Sequence, residues 1–253
     1  MILEAFDLKG KVALVTGCNT GLGQGMAVAL AQAGCDIVGV NYADAADTPK
    51  LVQAAGQRFF SVTADLSDQQ VITKVVDEAV GLAGRIDILV NNAGIIRRAD
   101  AIEFTEKDWD DVMDINIKSV FFLSQAVARQ FLSQGQGGKI INIASMLSFQ
   151  GGIRVPSYTA SKSAVMGITR LLANEWASQG INVNAIAPGY MATNNTAALR
   201  ADADRNQEIL SRIPAQRWGL PSDLAGPVVF LASPASDYVN GYTIAVDGGW
   251  LAR

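Results

Sequence analysis

Short, nearly unbroken apolar runs alternate along the chain with longer segments of helical periodicity. "KVALVTG" leads into "GLGQGMAVALAQAG" and then "CDIVGVN"; "RFFSVTAD", "IDILVNNAG", "GKIINIAS", "INVNAIAPG" and "YTIAVDGG" follow at intervals. In "VALV", "IDILV" and "KIINI" the apolar residues stand at consecutive positions instead of every second one. A strand of that kind is covered on both faces. Strand and helix patterns in alternation build crossover units, and crossovers between parallel strands deposit helices on the two sides of the sheet. The pattern predicts an α/β chain: a doubly wound parallel sheet with helices on both faces. No linker-like stretch interrupts it, so residues 1–253 are read as one domain.

Most of the strand patterns end in Gly, Asn, Ser or Pro, and in open α/β sheets ligands bind at those carboxyl ends. Between Gly189 and Pro221 the rhythm loosens into "YMATNNTAALRADADRNQEILSRIPAQRWGL". An insertion of that length beside strand ends is expected to form a substrate lid around residues 190–220.

Composition sharpens this reading. A hydrophobic share of 49% against 17% charged residues calls for a large core. The net charge is −4 and no basic block occurs, which argues against nucleic acid as a partner. The start "MILEAFDLKGKVALVTG" has no secretory pattern, and no apolar run reaches the ~18 residues of a membrane span. A cytoplasmic protein that meets small molecules or copies of itself is expected, with no membrane partner. Cys18 and Cys35 lack metal-ligand spacing and are read as reduced thiols, with no metal site.

The chain has no histidine, so proton transfer must fall to a group whose pKa its surroundings have shifted. In "SYTASKSAV", Tyr158 and Lys162 lie four residues apart and share a helix face, where the ammonium would favour the phenolate. "IINIAS" delivers Ser145 to a strand end thirteen residues before Tyr158. The first turn, "TGCNTGLGQG", spaces Gly17, Gly21 and Gly23 so that helix amides could face a pyrophosphate, or simply so that the turn can pack. Asp65 could accept from an adenine amino group or cap a helix. "NNAG", Asn91 to Gly94, could tie strands together and line a cleft, and Asn116 is either a satisfied core amide or part of the chemistry.

Taken in order, the glycine turn, "NNAG", Asn116, Ser145, Tyr158 and Lys162 resemble the short-chain dehydrogenase/reductase family over essentially the whole chain. The resemblance implies a Rossmann-like domain in which Tyr158 donates and accepts the proton, Ser145 orients the carbonyl or alcohol, Lys162 holds the nicotinamide ribose, and Asn116 supports a water-linked proton path. It places the cofactor on Gly17, Asn19, Gly21, Leu22 and Gly23, then on Asn41, Asp65 and Leu66. It continues through Asn92, Ala93 and Gly94 to Tyr158, Lys162, Pro188, Gly189 and Thr193. Members carrying stretches like "NNAGIIRR", "APGYMATNNT" and "DYVNGYTIAVDGGWLAR" imply an NAD-linked enzyme of hexuronate breakdown, a keto-sugar acid as substrate, and a homotetramer. With Asn41 where many NAD-preferring relatives carry an acid, and no Arg or Lys at Thr20, Asn41 or Tyr42, NAD is expected over NADP. The competing readings are reduction of 3-oxoacyl thioesters and a catalytically silent dinucleotide-binding regulator; the intact residue set speaks against the latter. Arg154, four residues before Tyr158, is the first candidate to hold a substrate carboxylate. Arg97 and Arg98 are the second, Arg217 is weaker, and Gln150 is a further substrate contact alongside Ser145 and Tyr158.

Overall fold

A computed structural model describes all 253 residues. Seven parallel strands form one sheet: β1 (Val12–Thr16), β2 (Asp36–Asn41), β3 (Phe59–Thr63), β4 (Ile88–Asn91), β5 (Gly138–Ile143), β6 (Ile181–Pro188) and β7 (Thr243–Val246). All seven fall on the apolar runs that the sequence pattern marked. Their order is β3-β2-β1-β4-β5-β6-β7. The chain therefore runs outward from β1 to one edge, returns, and runs out to the other. β1 pairs with β2 through Val12↔Asp36 and with β4 through Ala13↔Ile88, so the reversal lies between β1 and β4. Crossovers leaving to opposite sides there open a crevice at the carboxyl ends.

Both faces of the sheet are buried, and alternate residues of β1 serve different cores. Ala13 and Val15 join Met26, Ala27 and Leu30 of α1 (Gly21–Gln32) and Val228 and Leu231 of α9 (Ala225–Ala232). Val12 and Leu14 join Ile72, Val75, Val76 and Ala79 of α3 (Val71–Ala83) and Leu123, Val127 and Phe131 of α5 (Ser119–Gln134). That two-sided burial is why the strands read as unbroken apolar runs. A short α2 (Thr48–Ala54) follows β2, and α4 (Glu106–Met113) is capped by the Thr105 hydroxyl, which accepts from Asp108 N. α6 (Pro156–Trp176) crosses between β5 and β6, with proline at the start where no helical N–H is needed.

The 190–220 insertion is folded, not loose. It carries α7 (Ala197–Ala201) and α8 (Ala203–Arg212), and its neck is closed where Ala192 N donates to Gly219 O at 2.7 Å and Gly219 N to Tyr190 O at 2.9 Å. Tyr190 meets Trp218 and Trp250 edge-on, at centroid distances of 5.5 and 4.9 Å. No helix is long and apolar enough to cross a membrane.

Candidate active site

A cleft of about 1160 Å³ opens at the carboxyl ends of the strands around the reversal point. Its floor at one end is the first turn. Gly17 and Gly21 have φ of +63° and +58°, a backbone region that glycine enters without strain. At Gly23 the constraint is contact: a Cβ there would lie 2.2 Å from Gly17 O and 2.4 Å from Asn92 Nδ2. The bare backbone lets α1 begin directly under the turn, leaving its first amides open to an anion.

"NNAG" does both things open to it. Asn91, buried, donates to Ser124 Oγ at 3.0 Å and Asn142 Oδ1 at 2.8 Å, tying β4 to α5 and β5. Asn92 Nδ2 donates to Thr16 O and Gly17 O, both at 2.9 Å, and Asn92 and Ala93 amides donate to Thr16 Oγ1, fastening β4 to the first turn. Asn92, Ala93 and Gly94 also line the cleft, as do Asn19, Leu22, Leu66, Gly189 and Thr193. Pro188, the last residue of β6, does not.

Asp65 and Asn41, expected at the adenosine end, both line the cleft there. Asp65 is no helix cap: it accepts from Ser67 N at 2.9 Å and Ser67 Oγ at 2.7 Å in a tight turn, and α3 begins only at Val71. Asn41 is buried, and its Oδ1 accepts from Asn19 N at 3.1 Å while its Nδ2 points at Cys18 Sγ at 3.6 Å. The amide braces the glycine turn and also lines the cleft. Burial raises both thiols, Cys18 to about 11, so each stays protonated near neutral pH.

At the other end, α6 presents Tyr158 and Lys162, and β5 delivers Ser145. Ser145 heads a 3-10 turn, Met146–Ser148, and its Oγ accepts from Leu147 N at 3.2 Å. Its O–H is left to donate into the cleft. Lys162 is buried, its Nζ donates to Ile143 O at 2.6 Å, and it sits 5.7 Å from the centre of the Tyr158 ring. Burial pushes its pKa down from 10.5 to about 8. The spacing argument expected this ammonium to acidify the phenol. Burial instead dominates and raises Tyr158, opposed by the hydrogen bond with Ser145 and the charge of Arg98.

Asn116 lies in a π-helical turn, Asp114–Lys118, between α4 and α5, the kind of bulge that re-aims a side chain. It is fully buried, donates to Ile95 O at 2.9 Å and Ser161 Oγ at 3.3 Å, and accepts from Ile95 N at 2.8 Å. The amide is satisfied and lies behind the cleft wall.

The arginines sort by partner. Arg154 sits at φ +63° and pairs with Asp100 at 3.0 Å, well exposed; Arg97 reaches Asp108 at 3.4 Å and Asp111 at 3.3 Å; Arg217 holds Asp223 with two nitrogens. Arg98 has no carboxylate within 4 Å, and its Nη2 donates only to Asn195 O at 3.5 Å. Of the cleft's arginines, Arg98 is the one without a carboxylate partner. Gln150 is not among the cleft-lining residues; its Oε1 accepts from Trp250 Nε1 at 3.2 Å and Arg212 Nη2 at 3.5 Å. Arg205 and Asn195, which the sequence did not single out, line the cleft from the insertion; Arg205 is paired with Glu208.

Residues 17–251 match the family model described as enoyl-(acyl carrier protein) reductase, and the chain is 76% identical over 253 residues, 100% of both chains, to the 2-dehydro-3-deoxy-D-gluconate 5-dehydrogenase of Dickeya dadantii. The chain belongs to the short-chain dehydrogenase/reductase family. The corresponding Escherichia coli enzyme is 74% identical, again over the whole of both chains. Among solved structures, a candidate 2-deoxy-D-gluconate 3-dehydrogenase from Agrobacterium tumefaciens with bound NADP superposes with a TM-score of 0.93 at 56% identity, covering 98% of this chain and 99% of that one. The protein is thus an oxidoreductase on a dinucleotide-binding fold, and its glycine turn, with no side chain at Gly23 to fill the cradle, fits such a group.

Proposed function

We propose that the protein interconverts 2-dehydro-3-deoxy-D-gluconate and its 2,5-diketo counterpart with NAD(H), a step in hexuronate (pectin) breakdown. The observation that carries this beyond the family is Arg98, an unpaired guanidinium in the same cleft as Ser145 and Tyr158, where an anionic substrate needs a counter-charge. The 76% identity to a dehydrogenase of that name supports it. When bound, the nicotinamide would supply or take the hydride, with Lys162 at its ribose and Thr193 at its carboxamide. In reduction, Ser145 donates a hydrogen bond to the carbonyl oxygen and Tyr158 gives that oxygen its proton; oxidation returns the proton to the phenolate. Arg98 holds the carboxylate, the insertion closes over the substrate, and Asn116 supports proton supply behind Lys162. The working form is a cytoplasmic homotetramer. In support of self-association, Trp109 of α4, Phe122 of α5 and Leu171 of α6 are exposed, as are Tyr238 and Tyr242 beside β7.

A charge-assisted contact of this kind contributes ~1.5–3 kcal/mol, so Arg98→Ala should raise KM for the keto acid roughly tenfold or more, with little effect on an uncharged ketone of similar size. Arg154→Ala should change KM by less than about twofold, because its guanidinium is turned to Asp100. Equal effects of Arg98→Ala on both substrates would remove the clamp.

NAD is expected over NADP by kcat/KM. At the adenosine end the cleft is lined by Asn41, Tyr42, Ala43, Asp65 and Ser67, and the one charge among them is negative. A 2′-phosphate finds no cation there. The A. tumefaciens relative carries NADP, so paired kcat/KM measurements decide, and a preference for NADP would overturn this part of the reading.

A further inference from the structure

Ser148 stands at the end of the turn that begins with Ser145, and the chemistry above leaves it without a task. It is buried, and its hydroxyl is engaged on both sides: Oγ accepts from Ser145 N at 3.3 Å and donates to Lys162 O at 2.5 Å. A hydroxyl has one proton to give. With that proton on the α6 carbonyl, a lone pair faces Ser145, so the direction of the group is set. The bond spans two elements, joining the turn after β5 to the helix that carries Tyr158 and Lys162.

The turn does not need this hydroxyl to form. Ser148 N already donates to Ser145 O at 2.9 Å, and Phe149 N to Met146 O at 3.0 Å. What the side chain adds is the position of the turn relative to α6. It also completes a reciprocal cap, in which Ser145 Oγ accepts from Leu147 N at 3.2 Å while Ser145 N donates to Ser148. That cap occupies a lone pair of Ser145 and aims its O–H outward.

We propose that Ser148 is a positioning residue, whose hydroxyl locks the Ser145 turn to the Tyr158–Lys162 helix and so fixes the direction in which Ser145 donates. The inference rests on the reading of Ser145 and Tyr158 as the reacting pair. It acts on kcat through geometry and leaves the dinucleotide end of the cleft untouched.

The test uses the full chain with Ser148→Cys, which conserves volume but hydrogen-bonds weakly, and Ser148→Thr, which keeps the hydroxyl. Turnover of the keto acid, NADH affinity by fluorescence titration and Tm are measured for each, for Ser145→Ala alone, and for Ser148→Cys combined with Ser145→Ala. Ser148→Cys should lower kcat roughly tenfold, with KM and NADH affinity within about twofold of wild type. Ser148→Thr should recover most of the loss, and in the Ser145→Ala background the Cys substitution should cost nothing further. An unchanged kcat in Ser148→Cys, an equal loss in both backgrounds, or a Thr variant as slow as the Cys variant at wild-type Tm would each overturn the proposal. A fully active Ser145→Ala single variant would instead sink the reading of the active site, a separate outcome.

Discussion

Tyr158→Phe is expected to lose turnover by about 10²–10⁴-fold, the usual worth of a positioned general acid or base, while NADH binds as in wild type. The ring would still fill its place beneath the cleft, so only the transferable proton disappears. With no histidine in the chain and Lys162 held on the Ile143 carbonyl, no neighbouring group can replace it. Activity within threefold of wild type would end the assignment. The same phenol sets the pH dependence. Burial raises its pKa, so it is protonated at neutral pH. Reduction, which needs the phenol, should be flat through neutral pH and fall as pH passes the raised pKa. Oxidation, which needs the phenolate, should rise over that range. Profiles of kcat/KM in both directions, compared with Tyr158→Phe, test the signs.

Lys162→Met is expected to separate stability from activity. Turnover should drop by about 10²-fold and NADH affinity should weaken, since the cation proposed for the ribose is gone. The folded protein should nevertheless gain in Tm at pH 7. A buried ammonium whose pKa is driven from 10.5 to about 8 is held in the charged form at a cost, on the order of 3 kcal/mol at most, and methionine fills similar space without charge. The lost hydrogen bond to Ile143 O offsets part of that gain. Between pH 8 and 10.5 the unfolded lysine is still protonated while the folded one is not, so wild-type stability rises with pH in that window. The variant's advantage should therefore be constant below pH 8 and shrink toward pH 10.5. Thermal unfolding of both proteins at pH 7 and pH 10 measures it; a variant less stable than wild type at pH 7 would show that the lysine is held without penalty.

The seven strands, their parallel arrangement and the placement of cleft-lining residues at strand ends were legible in the chain, because each rests on short-range pattern. A strand buried on both faces must be apolar at successive positions, and a turn with no room for a side chain must carry glycine, as at Gly23. Order and spacing of Asn116, Ser145, Tyr158 and Lys162 likewise identified the family before any contact was known. Decisions that depend on who neutralises whom were not legible. Arg154 stands nearest to Tyr158 along the chain, but Asp100 takes its charge, and Arg98 is left free only because no acidic side chain folds against it. That Asn41 also braces the glycine turn, through Asn19 and Cys18, shows only in the fold. Lys162 has the spacing to acidify Tyr158, yet burial, which no local pattern reports, raises the phenol and lowers the lysine. Periodicity belongs to neighbours along the chain. Burial and charge pairing belong to neighbours in space, and only the tertiary structure could assign them.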